Sequence, residues 1–203
     1  MLKNIGLIGD SIAHGFCDSQ DLGWFARMGK IILSKKTNPY LFSNLAYMGD
    51  NIADTANRAH AEILSRKFDL IIISIGINDL RRRKNSNSEL DFSEGLRIMY
   101  WNKLLDIIKQ TNAKAVVTDL LPIIENRYMP EANLTRLNSD VIRYNAIIED
   151  ICKQRNISFF ARYERWQHYN LENIYEDAIH PNSQGHQIIA QEMFTFLEQN
   201  NLL

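Results

Sequence analysis

Five short apolar segments alternate along the chain with segments whose apolar residues recur at helical spacing. The apolar segments are 4–9, 39–46, 68–76, 113–122 and 157–163, each short enough to be a buried strand. The third contains the uninterrupted apolar run LIII, and such a continuous run is typical of a strand covered on both faces. The pattern therefore predicts five strands inside the protein.

The intervening segments predict helices over 23–36, 51–67, 93–111, 134–155 and 183–200. In the fourth, one helical face carries the apolar residues Leu137, Val141, Tyr144, Ile148 and Ile151. Strands that alternate with helices require parallel pairing and right-handed crossovers, with helices on both faces of one sheet. We therefore predict an α/β fold with a five-stranded parallel sheet, formed by residues 1–203 as one domain.

Composition and charge exclude several classes of protein. The chain has 203 residues, 45% of them hydrophobic, and a formal net charge of -1, so a nucleic-acid partner is not expected. No apolar run approaches the roughly 20 residues of a membrane span, and no signal peptide is visible. We expect a cytoplasmic protein, with secretion left open if a signal has been removed. The two cysteines, Cys17 and Cys152, are too few for a disulfide framework and are expected to be buried.

Candidate chemistry lies where the predicted strands end. Gly9-Asp10-Ser11 follows the first strand, Gly49 follows the second, and the sequence GIND (76–79) follows the third. The sequence DAIHP (177–181) precedes the last helix. Open α/β sheets bind ligands at the carboxyl ends of their strands, so we expect these motifs to converge.

Asp177 and His180 are close enough in sequence for the carboxylate to reach Nδ1 of the ring, which leaves Nε2 as a base. A serine hydroxyl is a poor nucleophile until a base takes its proton, and Ser11 is the expected partner. Pro181 is expected in the first turn of the last helix. The predicted catalytic residues are thus Ser11, His180 and Asp177.

Three donors are expected around the oxyanion of an acyl-transfer reaction. They are the backbone N–H groups of Ser11 and Gly49 and the side-chain amide of Asn78. Asp10 and Asp79, which flank two of these residues, are expected to brace their turns through backbone N–H groups.

Each of these residues also has a simpler interpretation. Ser11 is a favoured N-cap residue, Gly49 and Asn78 are common in turns, and His180 fits a solvated loop. Their joint occurrence at successive strand ends favours the catalytic interpretation.

Together, GDSI, Gly49, GIND and DAIHP resemble the four sequence blocks of the SGNH hydrolases, the GDSL esterase/lipase family. The resemblance runs from near the N-terminus to the final helix. It implies a flavodoxin-like, three-layer α/β/α fold and hydrolysis of acyl esters or thioesters without a metal or other cofactor. It also implies that Ser11 is the nucleophile, His180 the base and Asp177 the residue that orients it, with Ser11, Gly49 and Asn78 forming the oxyanion hole. The first block reads GDSI rather than GDSL, and the second lacks a fuller Gly-x-x-Gly form.

Alternative activities on the same fold are acyl transfer, carbohydrate-ester deacetylation and carbohydrate binding without catalysis. A metallophosphoesterase is disfavoured because the Asp-x-His and Asn-His pairs of that class are missing. A small-molecule ester is the expected substrate. The sequence does not specify its acyl chain, its alcohol or thiol group, or the oligomeric state.

Two further segments have two interpretations each. The irregular stretch 121–133 supplies acyl-pocket residues or packs onto the sheet, and its candidates are Leu121, Ile123, Ile124, Tyr128 and Met129. The basic run Arg81–Lys84 is a solvated turn or attracts an anionic leaving group.

Overall fold

The strands of the sheet position the candidate residues, which lie in the segments that follow them or precede the last helix. The structure, a computed structural model, describes residues 2–83, 85–125, 127 and 134–203. In these residues the strands are β1 (Lys3–Gly9), β2 (Tyr40–Asn44), β3 (Leu70–Ser74), β4 (Arg82–Arg83), β5 (Lys114–Thr118), β6 (Leu134–Thr135) and β7 (Ser158–Phe160). Five of them form a parallel sheet in the order β2-β1-β3-β5-β7, and β4 pairs with β6 in a separate antiparallel pair.

The helices of the described chain are α1 (Ser11–His14), α2 (Gly23–Lys35), α3 (Ile52–Ile63), α4 (Glu94–Lys109), α5 (Asn138–Arg155), α6 (Tyr163–Trp166), α7 (Leu171–Ile174) and α8 (Ser183–Gln199). A 3₁₀ turn, Ile77–Leu80, follows β3. Asn51 caps α3 through a reciprocal capping box with Asp54, which explains where this helix begins.

Two hydrophobic cores cover the two faces of the sheet. On one face α3, α4 and α5 pack over β3 and β5, with Trp101 and Tyr144 fully buried. On the other face α2 packs against α8, and Trp24 and Met193 lie between them and the sheet. The three-layer α/β/α prediction is confirmed, and the strand order is that of flavodoxin-like folds.

This strand order has a switch point between β1 and β3, from which the chain winds outward in both directions. The two strands pair in register up to Gly9 and Ser74, so the segments that follow them start side by side. The candidate residues after β1 and β3 are neighbours for this reason.

The structure corrects several predicted boundaries. The fourth predicted helix begins at Asn138 rather than at 134, because Leu134 and Thr135 pair with β4. Pro181 does not lie in the first turn of α8; it forms a bridge with Tyr175, and Asn182 caps the helix. The pair β4 and β6 was not predicted, because two-residue strands have no readable period.

The two cysteines differ from each other. Cys152 is buried in the core as expected, whereas Cys17 is only partly buried and has a left-handed backbone with φ of 69°. The expectation of a buried residue is wrong for Cys17, because the turn after α1 places it at the protein surface.

Among the described residues, no helix combines the length and the apolar character needed to cross a lipid bilayer.

Gly9 is the tightest point between β1 and β3, and it generates a stability prediction. A Cβ at this position would lie 2.1 Å from the carbonyl oxygen of Ser74, which belongs to the neighbouring strand and cannot move aside freely. We expect Gly9→Ala to lower the free energy of unfolding by about 1–3 kcal/mol or more in urea denaturation.

Gly95 is the matched control, because a Cβ there meets nothing within 4 Å and the residue lies in the first turn of α4. Gly95→Ala should leave the stability unchanged or raise it by up to about 1 kcal/mol. Equal stabilities for the two variants would show that β1 and β3 do not approach as closely as described.

Candidate active site

Ser11 lies at the first position of α1, directly beyond the carboxyl end of β1. The N-cap of α1 is Asp10, whose Oδ1 accepts a hydrogen bond of 3.0 Å from the backbone N–H of Ile12. The interpretation of Ser11 as the N-cap is therefore wrong, and the predicted bracing role of Asp10 is confirmed. Since the cap is supplied by its neighbour, the Ser11 hydroxyl is left for other contacts.

The hydroxyl of Ser11 contacts His180, which lies 169 positions later in the chain. Ser11 Oγ and His180 Nε2 are 2.9 Å apart, and His180 Nδ1 is 2.7 Å from Oδ2 of Asp177. These distances are those of hydrogen bonds. The structure thus brings together the three residues that the sequence singled out, in the order hydroxyl, imidazole, carboxylate.

Asp177 is held on both of its oxygens. Oδ1 accepts the backbone N–H groups of Ile179 and His180, each at 2.8 Å, while Oδ2 faces the imidazole. Burial alone would raise the pKa of Asp177, but the hydrogen bonds from His180 and Ile179 outweigh it and lower the pKa below its ordinary value. The carboxylate is therefore ionised at neutral pH beside the ring.

Asn78 is buried in the 3₁₀ turn after β3. Its Nδ2 donates a 2.8 Å hydrogen bond to the backbone oxygen of Asp50, and its Oδ1 accepts hydrogen bonds from Arg81 and Arg136 at 3.0 and 3.1 Å. The side chain is therefore held on both sides of its amide group.

Gly49 lies in an exposed turn after β2, with a φ of 83° that favours glycine. Tyr47, in the same turn, donates its backbone N–H to the carbonyl oxygen of Gly9 at 2.9 Å. Asp50, the next residue after Gly49, is the one that Asn78 contacts. The turn is thus attached to the end of β1 on one side and to the turn after β3 on the other.

Asp79 is fully buried. The expectation that its side chain braces its own turn is wrong, because both carboxylate oxygens contact other segments. Its Oδ1 accepts the backbone N–H of Ile52 at the start of α3, and its Oδ2 accepts the hydroxyl of Tyr144, both by short hydrogen bonds of 2.8 and 2.7 Å. Burial raises the pKa of Asp79 to about 7 and that of Asp10 to about 6.

Phe16 and Cys17, which sequence reasoning did not place at the site, border His180. The ring of Phe16 meets the imidazole edge-on, with centroids 4.9 Å apart. The Cys17 sulfur and one ligand atom each of Asp177 and His180 lie within 4.8 Å of one another, a grouping that could hold a metal ion. Burial, together with the charge of Asp177, raises the pKa of the Cys17 thiol to about 11, so the thiol is protonated at neutral pH.

The predicted pocket residues fall partly outside the described residues. Leu121 and Ile123 are buried in the cores and Ile124 is partly buried against one of them, which matches the packing interpretation. Tyr128 and Met129 lie outside the described residues, so the structure does not place them.

The basic run is divided among separate partners. Arg82 pairs with Asp140 and Arg83 with Asp91, whereas Arg81 donates to Asn78. Lys84 lies outside the described residues. The solvated-turn interpretation therefore does not fit Arg81 or Arg82, which are only partly exposed.

Arg136, fully buried between β6 and α5, was not identified from the sequence, because no local pattern distinguishes it from other arginines. The buried ion pair of Asp119 with Arg162, which joins the end of β5 to the end of β7, was missed for the same reason.

Comparisons with known proteins show the family and the fold of this chain. The model of the GDSL-like lipase/acylhydrolase family matches residues 7–188. The chain belongs to this family, a family of hydrolases. No match was found among curated protein sequences.

Similar solved structures have the same fold over nearly the whole chain. The acetyl xylan esterase AlAXEase superposes with a TM-score of 0.76 at 19% identity, covering 96% of this chain and 99% of that one. A variant of Axe2, an acetyl-xylooligosaccharide esterase from Geobacillus, gives 0.76 at 19% identity, covering 97% and 93%. A GDSL-like lipase from Bacteroides thetaiotaomicron gives 0.73 at 18% identity, covering 98% and 89%.

The raised pKa of Asp79 predicts a pH-dependent stability. In the unfolded chain the carboxyl titrates near its ordinary value of 3.8, while in the folded protein it titrates near 7. Between these values the folded state retains a proton that the unfolded state has lost, so the free energy of unfolding falls as the pH rises through this window. We expect Asp79→Asn to show a smaller loss of stability between pH 5 and pH 8 than the wild type in urea denaturation.

Part of the pH dependence of the free energy of unfolding should persist in Asp79→Asn, because Asp10 also has a raised pKa. A pH dependence in Asp79→Asn equal to that of the wild type would contradict the assignment of Asp79 as the titrating group.

Proposed function

We propose that the protein is a serine hydrolase of carboxylic esters in which Ser11, His180 and Asp177 form the catalytic triad. The observation that carries this proposal is the continuous contact from Ser11 Oγ through both ring nitrogens of His180 to Asp177. A hydroxyl, a base and a carboxylate in this order constitute an activated nucleophile. Membership of a hydrolase family supports the same reaction class.

In the first half-reaction, Ser11 Oγ attacks the carbonyl carbon of the ester while Nε2 of His180 accepts the hydroxyl proton. The imidazolium that forms is stabilised by Asp177, whose lowered pKa keeps it ionised. When the tetrahedral intermediate collapses, the bond to the leaving oxygen breaks, and His180 returns the proton to the departing alcohol. An acyl group then remains on Ser11.

The oxyanion of the tetrahedral intermediate is stabilised by the N–H groups of Ser11 and Gly49 and by Nδ2 of Asn78. Asn78 supports this role, because an amide nitrogen carries two hydrogens and, among the described residues, Nδ2 donates one of them to Asp50. Gly49 supports it through its exposure and its position in a turn attached to both neighbouring motifs.

In the second half-reaction, water attacks the acyl group while His180 takes a proton from the water. The bond between the acyl carbon and Ser11 Oγ then breaks, and His180 returns the proton to Ser11, which frees the hydroxyl and releases the acid. A sugar or glycerol hydroxyl in place of water would give acyl transfer through the same intermediate. The two outcomes differ only in the acceptor, so product analysis in the presence of glycerol distinguishes them.

Short acyl groups, including the acetyl esters of carbohydrates, are the substrate class that we propose. Tyr47, on the same turn as Gly49, exposes an aromatic ring of the kind that stacks on sugars. Two similar structures are esterases of acetylated xylan or xylo-oligosaccharides, which agrees with this substrate class.

Substitutions of the triad test the reaction class. Ser11→Ala and His180→Ala should lower kcat for p-nitrophenyl acetate by about 10⁴-fold or more, and Asn78→Ala by about 10²–10³-fold, because it removes one oxyanion donor. Ser93→Ala removes another serine at a helix start, the N-cap of α4, and should leave kcat unchanged. A Ser11→Ala enzyme with unchanged activity would refute the nucleophile assignment.

Covalent labelling identifies the nucleophile independently of turnover. Ser11 Oγ should attack the phosphorus of a fluorophosphonate and expel fluoride, while His180 takes the hydroxyl proton. The phosphonyl mass should therefore appear on the wild type and on Ser93→Ala, but not on Ser11→Ala. Activity should survive EDTA, and loss of activity with EDTA that returns with a divalent metal would instead favour a metal-dependent reaction.

The proposed substrate class predicts a dependence on acyl chain length. In a series of p-nitrophenyl esters from two to twelve carbons, kcat/KM should be highest for the acetyl ester and fall with each longer chain. Release of acetate from acetylated xylo-oligosaccharides, followed by chromatography, tests the carbohydrate part. A maximum at eight or more carbons would reject the short-acyl assignment while leaving the triad intact.

A further inference from the structure

Two arginines converge on the amide oxygen of Asn78. Nη2 of Arg81 and Nη2 of Arg136 donate to Oδ1 at 3.0 and 3.1 Å, and Nε of Arg136 also donates to the carbonyl oxygen of Ile77 at 3.0 Å. On the opposite side of the amide, Nδ2 donates to Asp50. Asn78 itself is only 3% exposed.

We propose that Arg81 is a positioning residue that acts through Asn78: it holds the amide oxygen, together with Arg136, so that the amide N–H group faces the oxyanion. The proposal rests on the function proposed above. It gives Arg81, one residue of the basic run Arg81–Lys84, an effect on turnover. Neither the solvated-turn interpretation nor the anion-attracting interpretation of that run includes such an effect.

The two arginines fix the orientation of the Asn78 amide. An asparagine amide can be turned end for end with almost no change in shape, so its neighbours decide which end is the donor. Guanidinium groups only donate hydrogen bonds, and a backbone carbonyl only accepts them. With arginines on one side and the Asp50 carbonyl on the other, the NH₂ end has a single satisfactory placement.

The two arginines also polarise the Asn78 amide. Hydrogen bonds from a charged donor are about twice as strong as neutral ones, and bonds in series polarise one another. Positive charge at the amide oxygen draws electron density away from the nitrogen, which makes its hydrogens better donors. The hydrogen bond from this amide to the substrate oxygen becomes stronger as negative charge develops on that oxygen. The polarised amide therefore stabilises the transition state more than it stabilises the bound ester, and the barrier falls.

The neighbouring arginines of the run provide a built-in comparison. Arg82 is paired with Asp140, and Arg83 is largely exposed and paired with Asp91. Neither of these ion pairs involves Asn78. Arg83→Met is therefore a matched control for Arg81→Met, with the same change of charge and volume two positions away.

The expected result is a loss in turnover rather than in binding. Arg81→Met should lower kcat for p-nitrophenyl acetate about tenfold, less than the 10²–10³-fold loss for removing a donor, because Arg136 still holds the amide. KM should stay within about twofold, Arg81→Lys should recover part of kcat, and Arg83→Met should match the wild type.

A double-mutant cycle tests whether the effect passes through Asn78. In an Asn78→Ala background, Arg81→Met should change kcat by less than about twofold, because the amide it acts on is absent. A full tenfold loss in that background would overturn the proposal. So would a rise in KM confined to anionic esters, which would make Arg81 a substrate-binding residue.

A folding defect of the Arg81 variant and a failure of the proposed serine mechanism can each be distinguished from a failure of the Arg81 proposal. If Arg81→Met does not fold, Arg81→Lys, which keeps the charge but not the guanidinium geometry, is compared with Arg83→Lys, and equal kcat values would reject the role. If Ser11→Ala retains activity, the serine mechanism fails, and no result at Arg81 is needed to show it.

Discussion

Buried carboxylates at the carboxyl-end edge of the sheet are the feature on which the site depends. A buried charge must be hydrogen-bonded or neutralised, and here Asp10, Asp79, Asp119 and Asp177 each accept backbone N–H groups from loops or helix starts. Each bond fixes a backbone segment in space. The loops after the strands are thereby attached to the rigid sheet. A reacting side chain on such a loop is held in a fixed position because the loop itself is fixed.

These attachments explain how residues far apart in sequence reach hydrogen-bond distance. Asp10 fixes the start of the helix that carries Ser11, and Asp177 binds both the main chain and the ring of His180. Asp79 holds the start of α3, which follows directly on the turn that contains Gly49. The groups that we propose as nucleophile, base and oxyanion donors are in this way positioned before any substrate binds, which is the condition for effective electrostatic stabilisation.

Sequence reasoning succeeded where the signal is local or periodic. The β-branched strands, the helical faces and the motifs at strand ends all have readable spacing, and a parallel sheet places such ends on one edge. It failed where a partner lies far along the chain. Arg136 reaches Asn78 across 58 positions and Tyr144 reaches Asp79 across 65, and neither sequence segment carries a mark of this contact. The simpler interpretation of Ser11 as an N-cap is wrong because the preceding residue, Asp10, which is also a favoured capping residue, supplies the cap.

The charges of the site are arranged as the proposed acyl transfer requires, with negative charge beside His180 and positive charge beside Asn78. Asp177 has a lowered pKa and lies against His180, where positive charge develops when the imidazole takes the serine proton. Burial raises the pKa values of Asp10 and Asp79 to about 6 and about 7, so these aspartates carry less negative charge next to the proposed oxyanion site than ordinary aspartates would. Arg81 and Arg136 add positive charge at the amide oxygen of Asn78. In the proposed reaction, burial and ion placement thus favour an imidazolium beside Asp177 and an oxyanion beside Asn78, because each forms next to the charge that stabilises it.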